Sequence, residues 1–138
     1  MSSSNVHPLI ELLENDKRYK IDAYMFVREA LSYAQDVMKM PPQKVAEGEV
    51  RPERHITGQQ LCEAIRQYAV QQYGYLAKAV LNSWGIHETG DFGEIVYNLI
   101  RIKQMKKSKS DRREDFDNVY DFEGAFEPIF ETAGENQF

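Results

Sequence analysis

Between Thr57 and Arg101 the apolar residues recur every three or four positions and glycines break the run twice, a pattern that a succession of short helices satisfies. Leu61, Ile65, Tyr68, Ala69 and Gln72 share one stripe. Thr57 stands three residues before Gln60, so hydroxyl and side-chain amide can each satisfy a free backbone N–H, which starts a helix at residue 58. Gly74 ends it near Tyr73. Tyr75, Leu76, Ala79, Val80, Leu81 and Trp84 then form a short, almost wholly apolar helix over 75–83, closed by Gly85 and expected at the centre of the core. Thr89 or Asp91 caps the next helix, over 90–101, which buries Phe92, Ile95, Val96, Leu99 and Ile100.

Two more helices precede this set. Val6, Leu9, Ile10 and Leu13 predict one near 7–14, and Asp22 caps a second whose apolar positions Ala23, Phe26, Val27, Ala30, Leu31, Ala34, Val37 and Met38 run until Pro41-Pro42 stops it. The prolines and mixed charges that follow read as a surface connection. Beyond Ile102, Phe116, Val119, Tyr120 and Phe122 flank a highly polar turn, as in a two-stranded β-hairpin. Three helices followed by a hairpin is the order of a winged helix-turn-helix, with the wing at about 103–120. The expected fold is therefore mainly α with a small β-hairpin: a winged-helix-like three-helix core preceded by two N-terminal helices. One domain is expected, with N-terminal helices at about 7–40, a connection at 41–56, the winged-helix-like part at about 57–122 and a C-terminal segment at 123–138, where Phe122, Ala125, Phe126, Ile129 and Phe130 suggest a last helical turn or two.

No apolar run approaches the roughly 20 residues of a membrane span, and residues 1–8 lack the charged and apolar regions of a signal peptide. Cys62 is the only cysteine, which excludes an internal disulfide and a cysteine-rich zinc site and suits a reducing compartment; a cytoplasmic location is expected. His7, His55 and His87 lack neighbouring carboxylates or thiols at ligand spacing, so neither metal nor cofactor is expected.

Charge is sharply segregated. Residues 1–100 hold 10 basic and 13 acidic groups, residues 101–113 hold 7 and 1, and residues 114–138 hold 0 and 8. The basic cluster of Arg101, Lys103, Lys106, Lys107, Lys109, Arg112 and Arg113 reads either as a nucleic-acid or anion contact, or as a solvated segment facing the acidic stretch Glu114, Asp115, Asp117, Asp121, Glu123 and Glu127. A recognition helix over 90–101 would expose Asp91, Glu94, Tyr97, Asn98 and Arg101, and its two leading carboxylates would repel phosphate. The same carboxylates suit the positive end of a helix dipole.

Other chemistry finds little footing. Arg54-His55 before the Thr57 cap can hold an anion or simply lie on the surface, and Cys62 reads as a reactive thiol near a helix start or as a small core residue. Gly90-Asp91-Phe92-Gly93 has neither the spacing nor the basic residue of a phosphate loop. Tyr73 and Tyr97 lie off the main stripes and suit a partner surface together with Asp91, Glu94 and Arg101.

The run Arg54-His55-Ile56-Thr57-Gly58-Gln59-Gln60-Leu61-Cys62-Glu63-Ala64-Ile65-Arg66, with Trp84-Gly85-Ile86, Asp91-Phe92-Gly93-Glu94-Ile95-Val96, Asp115-Phe116 and Val119-Tyr120-Asp121-Phe122, resembles a small protein family of planctomycete and verrucomicrobial bacteria with no established function. That resemblance implies a bacterial single-domain protein and assigns no activity, cofactor or site residue. The leading expectation is a non-enzymatic regulatory or adaptor protein that contacts an unidentified protein partner. The alternative is a transcription regulator contacting DNA through Lys103, Lys106, Lys107, Lys109, Arg112 and Arg113 on the wing. An enzyme would need His55, Cys62 or Glu94 gathered in one pocket.

Overall fold

The computed structural model describes residues 8–36 and 56–127. Helices α1 (Pro8–Asn15), α2 (Ile21–Asp36), α3 (Gly58–Tyr73), α4 (Ala77–Ser83), α5 (Thr89–Arg101) and the single turn α6 (Phe122–Ala125) follow one another, with 3-10 turns at Gly74–Leu76 and Arg113–Phe116. No helix among these residues is long and apolar enough to cross a membrane. His7, the α2 candidates Val37 and Met38, the connection apart from Ile56, and the tail from residue 128 lie outside the described residues.

Local chemistry sets the boundaries largely as expected. The Thr57 hydroxyl accepts from the Gln60 N–H at 3.1 Å while the Gln60 side chain accepts from the Thr57 N–H at 2.9 Å. At α5 the cap position falls to Glu88, ahead of Thr89 and Asp91, and the Asp91 carboxylate reaches back to accept from the N–H groups of His87 and Glu88 at 2.8 and 3.2 Å. Gly74 and Gly85 both take positive φ, +53° and +98°. At Gly85 an added Cβ would come within 2.2 Å of the Arg18 carbonyl oxygen, so only glycine lets the α4–α5 link pass the α1–α2 link.

α2 packs on α3 and α5, burying Ala23, Tyr24, Phe26, Val27, Ala30 and Ala34 against Leu61, Ile65, Ile95 and Leu99 in one contiguous cluster. A buried polar bridge crosses it: Asn98 donates to the Tyr24 hydroxyl at 3.0 Å and to Asp16 at 3.1 Å, and accepts from Arg101. Of the α4 segment, Ala77 and Leu81 reach the core, whereas Tyr75 and Leu76 are 71% and 63% exposed, against the expectation that they stand at its centre.

The hairpin is absent. No strand occurs among the described residues, and the segment expected to form a wing is a chain of turns, so the winged-helix architecture is overturned. Phe116, Phe122 and Phe126 are buried, the last two edge-on to each other at 4.7 Å, which reproduces strand-like spacing without a strand ladder. The intervening backbone is held locally: Asp115 accepts from the Arg112 N–H, Asp121 from the Glu123 N–H, and Lys103 and Asn118 turn the chain with positive φ. The Arg113–Phe116 turn lies on α3 and α5 where two glycines make room. A Cβ on Gly93 would meet the Phe116 Cβ at 2.9 Å, and one on Gly58 would meet the Asp115 Cβ at 2.9 Å. The Gly-Asp-Phe-Gly run therefore serves packing.

Candidate functional site

The residues proposed as a recognition surface on α5 are covered. Glu94 accepts from Arg18 Nη1 at 3.0 Å and from Arg113 Nε at 2.6 Å, and Arg113 also donates to Asp117 at 2.8 Å. Arg18 in turn holds Asp16 at 2.7 Å. The Arg113 and Arg18 guanidiniums hold the Glu94 carboxyl below its ordinary value, and Arg18 does the same to Asp16 more strongly. Asp91 accepts from the Tyr19 hydroxyl at 2.5 Å. Asn98 is buried, and only Arg101 of the five candidates on this helix is exposed. The Asp91 and Glu94 side of α5, whose carboxylates would repel phosphate and which was expected in a partner surface, is the seat of the 16–19 and 113–117 links.

The basic segment divides likewise. Lys103, Lys106, Lys107, Lys109 and Arg112 are exposed, while Arg113 is half-buried in the network just described. Lys107 donates to the neighbouring Ser108 carbonyl.

The thiol chemistry considered for Cys62 has no support in its surroundings. Cys62 is fully buried, burial pushes its thiol up to about 12, and its carbonyl accepts from the Tyr120 hydroxyl at 2.7 Å. Glu94, salt-bridged at the middle of its own network, shares none of the lining of the cavities described below. The gathered catalytic group does not form around these two.

A cavity of about 320 Å³ opens between α2, α3, α5 and the 104–116 stretch, floored by Leu31, Leu61, Val96, Ile100 and Phe116. Tyr97 lines it, and its hydroxyl is buried without a hydrogen-bond partner among the described residues. Lys106, Asp111, Arg112 and Asp115 supply equal numbers of positive and negative groups. Gln35 and Ile56 also line it, and residues 37–55 join the chain between them, so we assign this cavity no ligand.

An open groove of about 310 Å³ lies on the other side of α2. Its lining is Ile21, Asp22, Met25, Phe26, Glu29, Tyr73 and Trp84. The Phe26 ring stands 5.5 Å from Trp84 and 6.1 Å from Tyr73, and Tyr73 meets Trp84 edge-on at 6.0 Å, which makes a rigid aromatic bed. Ile21 and Met25, one helical turn apart, each remain 43% exposed along its edge. Tyr75 and Leu76 follow Tyr73 after Gly74, so four of the five exposed large apolar residues among those described line the groove or lie within three residues of its lining in sequence. Tyr73 was anticipated as a partner residue; Ile21 and Met25 were not. Their signal was present, because Ile21 and Met25 share a helix face opposite the Ala23, Val27 and Ala30 stripe.

No family model matches the chain, and neither the curated proteins nor the solved structures contain a match to it.

Proposed function

We propose that the chain is a non-enzymatic adaptor that binds a protein partner through the groove on α2. One observation carries the reading: Ile21 and Met25 stay exposed beside a preformed aromatic bed, while the α5 carboxylates Asp91 and Glu94 are engaged within the fold. Apolar side chains left in water over a rigid aromatic floor gain most when a second surface covers them. The bacterial family resemblance belongs to this proposal and supplies no activity. DNA contact through a wing is not proposed, since that reading rested on the hairpin.

The test is affinity capture from nuclease-treated bacterial lysate by the tagged chain, run in parallel with two variants. Ile21→Lys/Met25→Glu is expected to lose a partner that Lys106→Ala/Lys107→Ala retains. Loss in the lysine variant with retention in the groove variant, or capture abolished by nuclease, would overturn the reading.

A further inference from the structure

We propose that the groove's partner is a basic, amphipathic segment that lays an aliphatic side chain across Phe26, Tyr73 and Trp84 and brings Lys or Arg to Asp22 and Glu29. This rests on the adaptor reading and adds the chemistry of the occupant.

The charged groups lining the groove are both carboxylates. Asp22 and Glu29 stand seven residues apart on α2, two helical turns, with Met25 between them along the same face. Glu29 accepts from the Tyr68 hydroxyl at 3.2 Å, which steadies one oxygen and leaves a negative group at that end. Lys20 and Arg28 are exposed nearby on the chain, but neither lines the groove. An acidic rim around an apolar floor selects a partner with apolar anchors flanked by positive charge, and like charges opposite Asp22 and Glu29 are disfavoured. The carboxylate spacing along one helix face matches a partner that is itself helical, with anchors one turn apart and cations at either end.

Trp84 lines the groove and is the only tryptophan in the chain, so its emission reports occupancy at that one place. Three helical peptides of roughly five turns are titrated against the full-length protein: Leu and Lys on opposite faces, Leu and Glu in the same arrangement, and Ser and Lys without the apolar face. The Leu/Lys peptide is expected to shift Trp84 emission and to bind about tenfold tighter than either other peptide. Asp22→Asn/Glu29→Gln is expected to shrink the preference for Lys over Glu to about threefold or less. Met25→Ser, which adds no charge, should weaken both complexes that lay Leu across the groove.

Equal or tighter binding of the Leu/Glu peptide overturns the proposal. So does equal binding of the Ser/Lys peptide, which would reduce the effect to general attraction toward an acidic protein, and so does an unshifted Trp84. Concentration-dependent self-association lost in Met25→Glu would assign the groove to a second copy and overturn it as well. If the groove variant still loses a captured partner while the peptides fail to discriminate, protein binding stands and the basic occupant falls. Should capture also be indifferent to Ile21 and Met25, both readings fall.

Discussion

The junction where the Arg113–Phe116 turn meets α3 and α5 is rich in charge yet closed, whereas the groove on α2 has two carboxylates and stays open. At the junction, Glu94 is held by two arginines, Arg113 by two carboxylates, and two glycines admit the turn to van der Waals contact. In the groove, apolar side chains meet water beside an aromatic bed. The contrast shows that charge dense along a chain is partly taken up inside the fold where the tertiary structure brings opposite charges together, as at Glu94 and Arg113.

If the junction is structural, breaking it should cost stability. Phe116→Ala removes a ring that is 4% exposed and is expected to destabilise by about 3 to 5 kcal/mol in urea denaturation. Gly85→Ala meets a backbone carbonyl at 2.2 Å and a φ of +98°, so roughly 3 kcal/mol or more is expected. A loss under about 1 kcal/mol for Phe116→Ala would contradict the packing described for the turn.

The ion network sharpens the same contrast at smaller scale. Glu94→Gln removes the carboxylate that Arg18 and Arg113 share and leaves them only Asp16 and Asp117, for an expected loss of about 1 kcal/mol. Its pH dependence follows in sign. Asp16 and Glu94 lose their protons more readily in the folded chain than unfolded, where 3.8 and 4.5 are the ordinary values, so ionisation favours folding. That contribution is complete above about pH 5 and is lost as pH falls through the lowered folded values. The urea midpoint should hold between about pH 7 and pH 5 and decline below, and Asp16→Asn/Glu94→Gln should flatten the decline. A decline equally steep in the double variant would place the acid sensitivity elsewhere.

Helix positions were legible because periodicity and capping are local. Thr57 with Gln60, and the two glycines with positive φ, behave as spacing predicts. The wing was misread because Phe116 and Phe122 are buried by contacts distant in sequence, and aromatic spacing in a turn chain imitates a strand. Tyr75 and Leu76 were misassigned for a related reason: in a short apolar segment, periodicity alone does not say which side faces the core, and α4 meets it through Ala77 and Leu81. The groove was half legible. Ile21 and Met25 stand off the α2 stripe in plain sight, but Trp84 and Tyr73 join them through tertiary contacts: Lys20 donates to the Trp84 carbonyl at 3.1 Å, tying the start of α2 to the end of α4, and α3 packs on α2.

The smallest effect separates the two regions best. Met25→Glu places a charge where the side chain is already partly in water, and its neighbours on the groove floor, Phe26, Tyr73 and Trp84, pack on one another. Its stability should therefore change by less than about 0.5 kcal/mol. Phe116→Ala is expected to lower the urea midpoint several times more while leaving Trp84 emission in the folded protein unchanged, because Phe116 lies among α3 and α5. A loss of about 2 kcal/mol or more for Met25→Glu would make the outer face of α2 part of the fold's own core and remove the physical ground for a partner there.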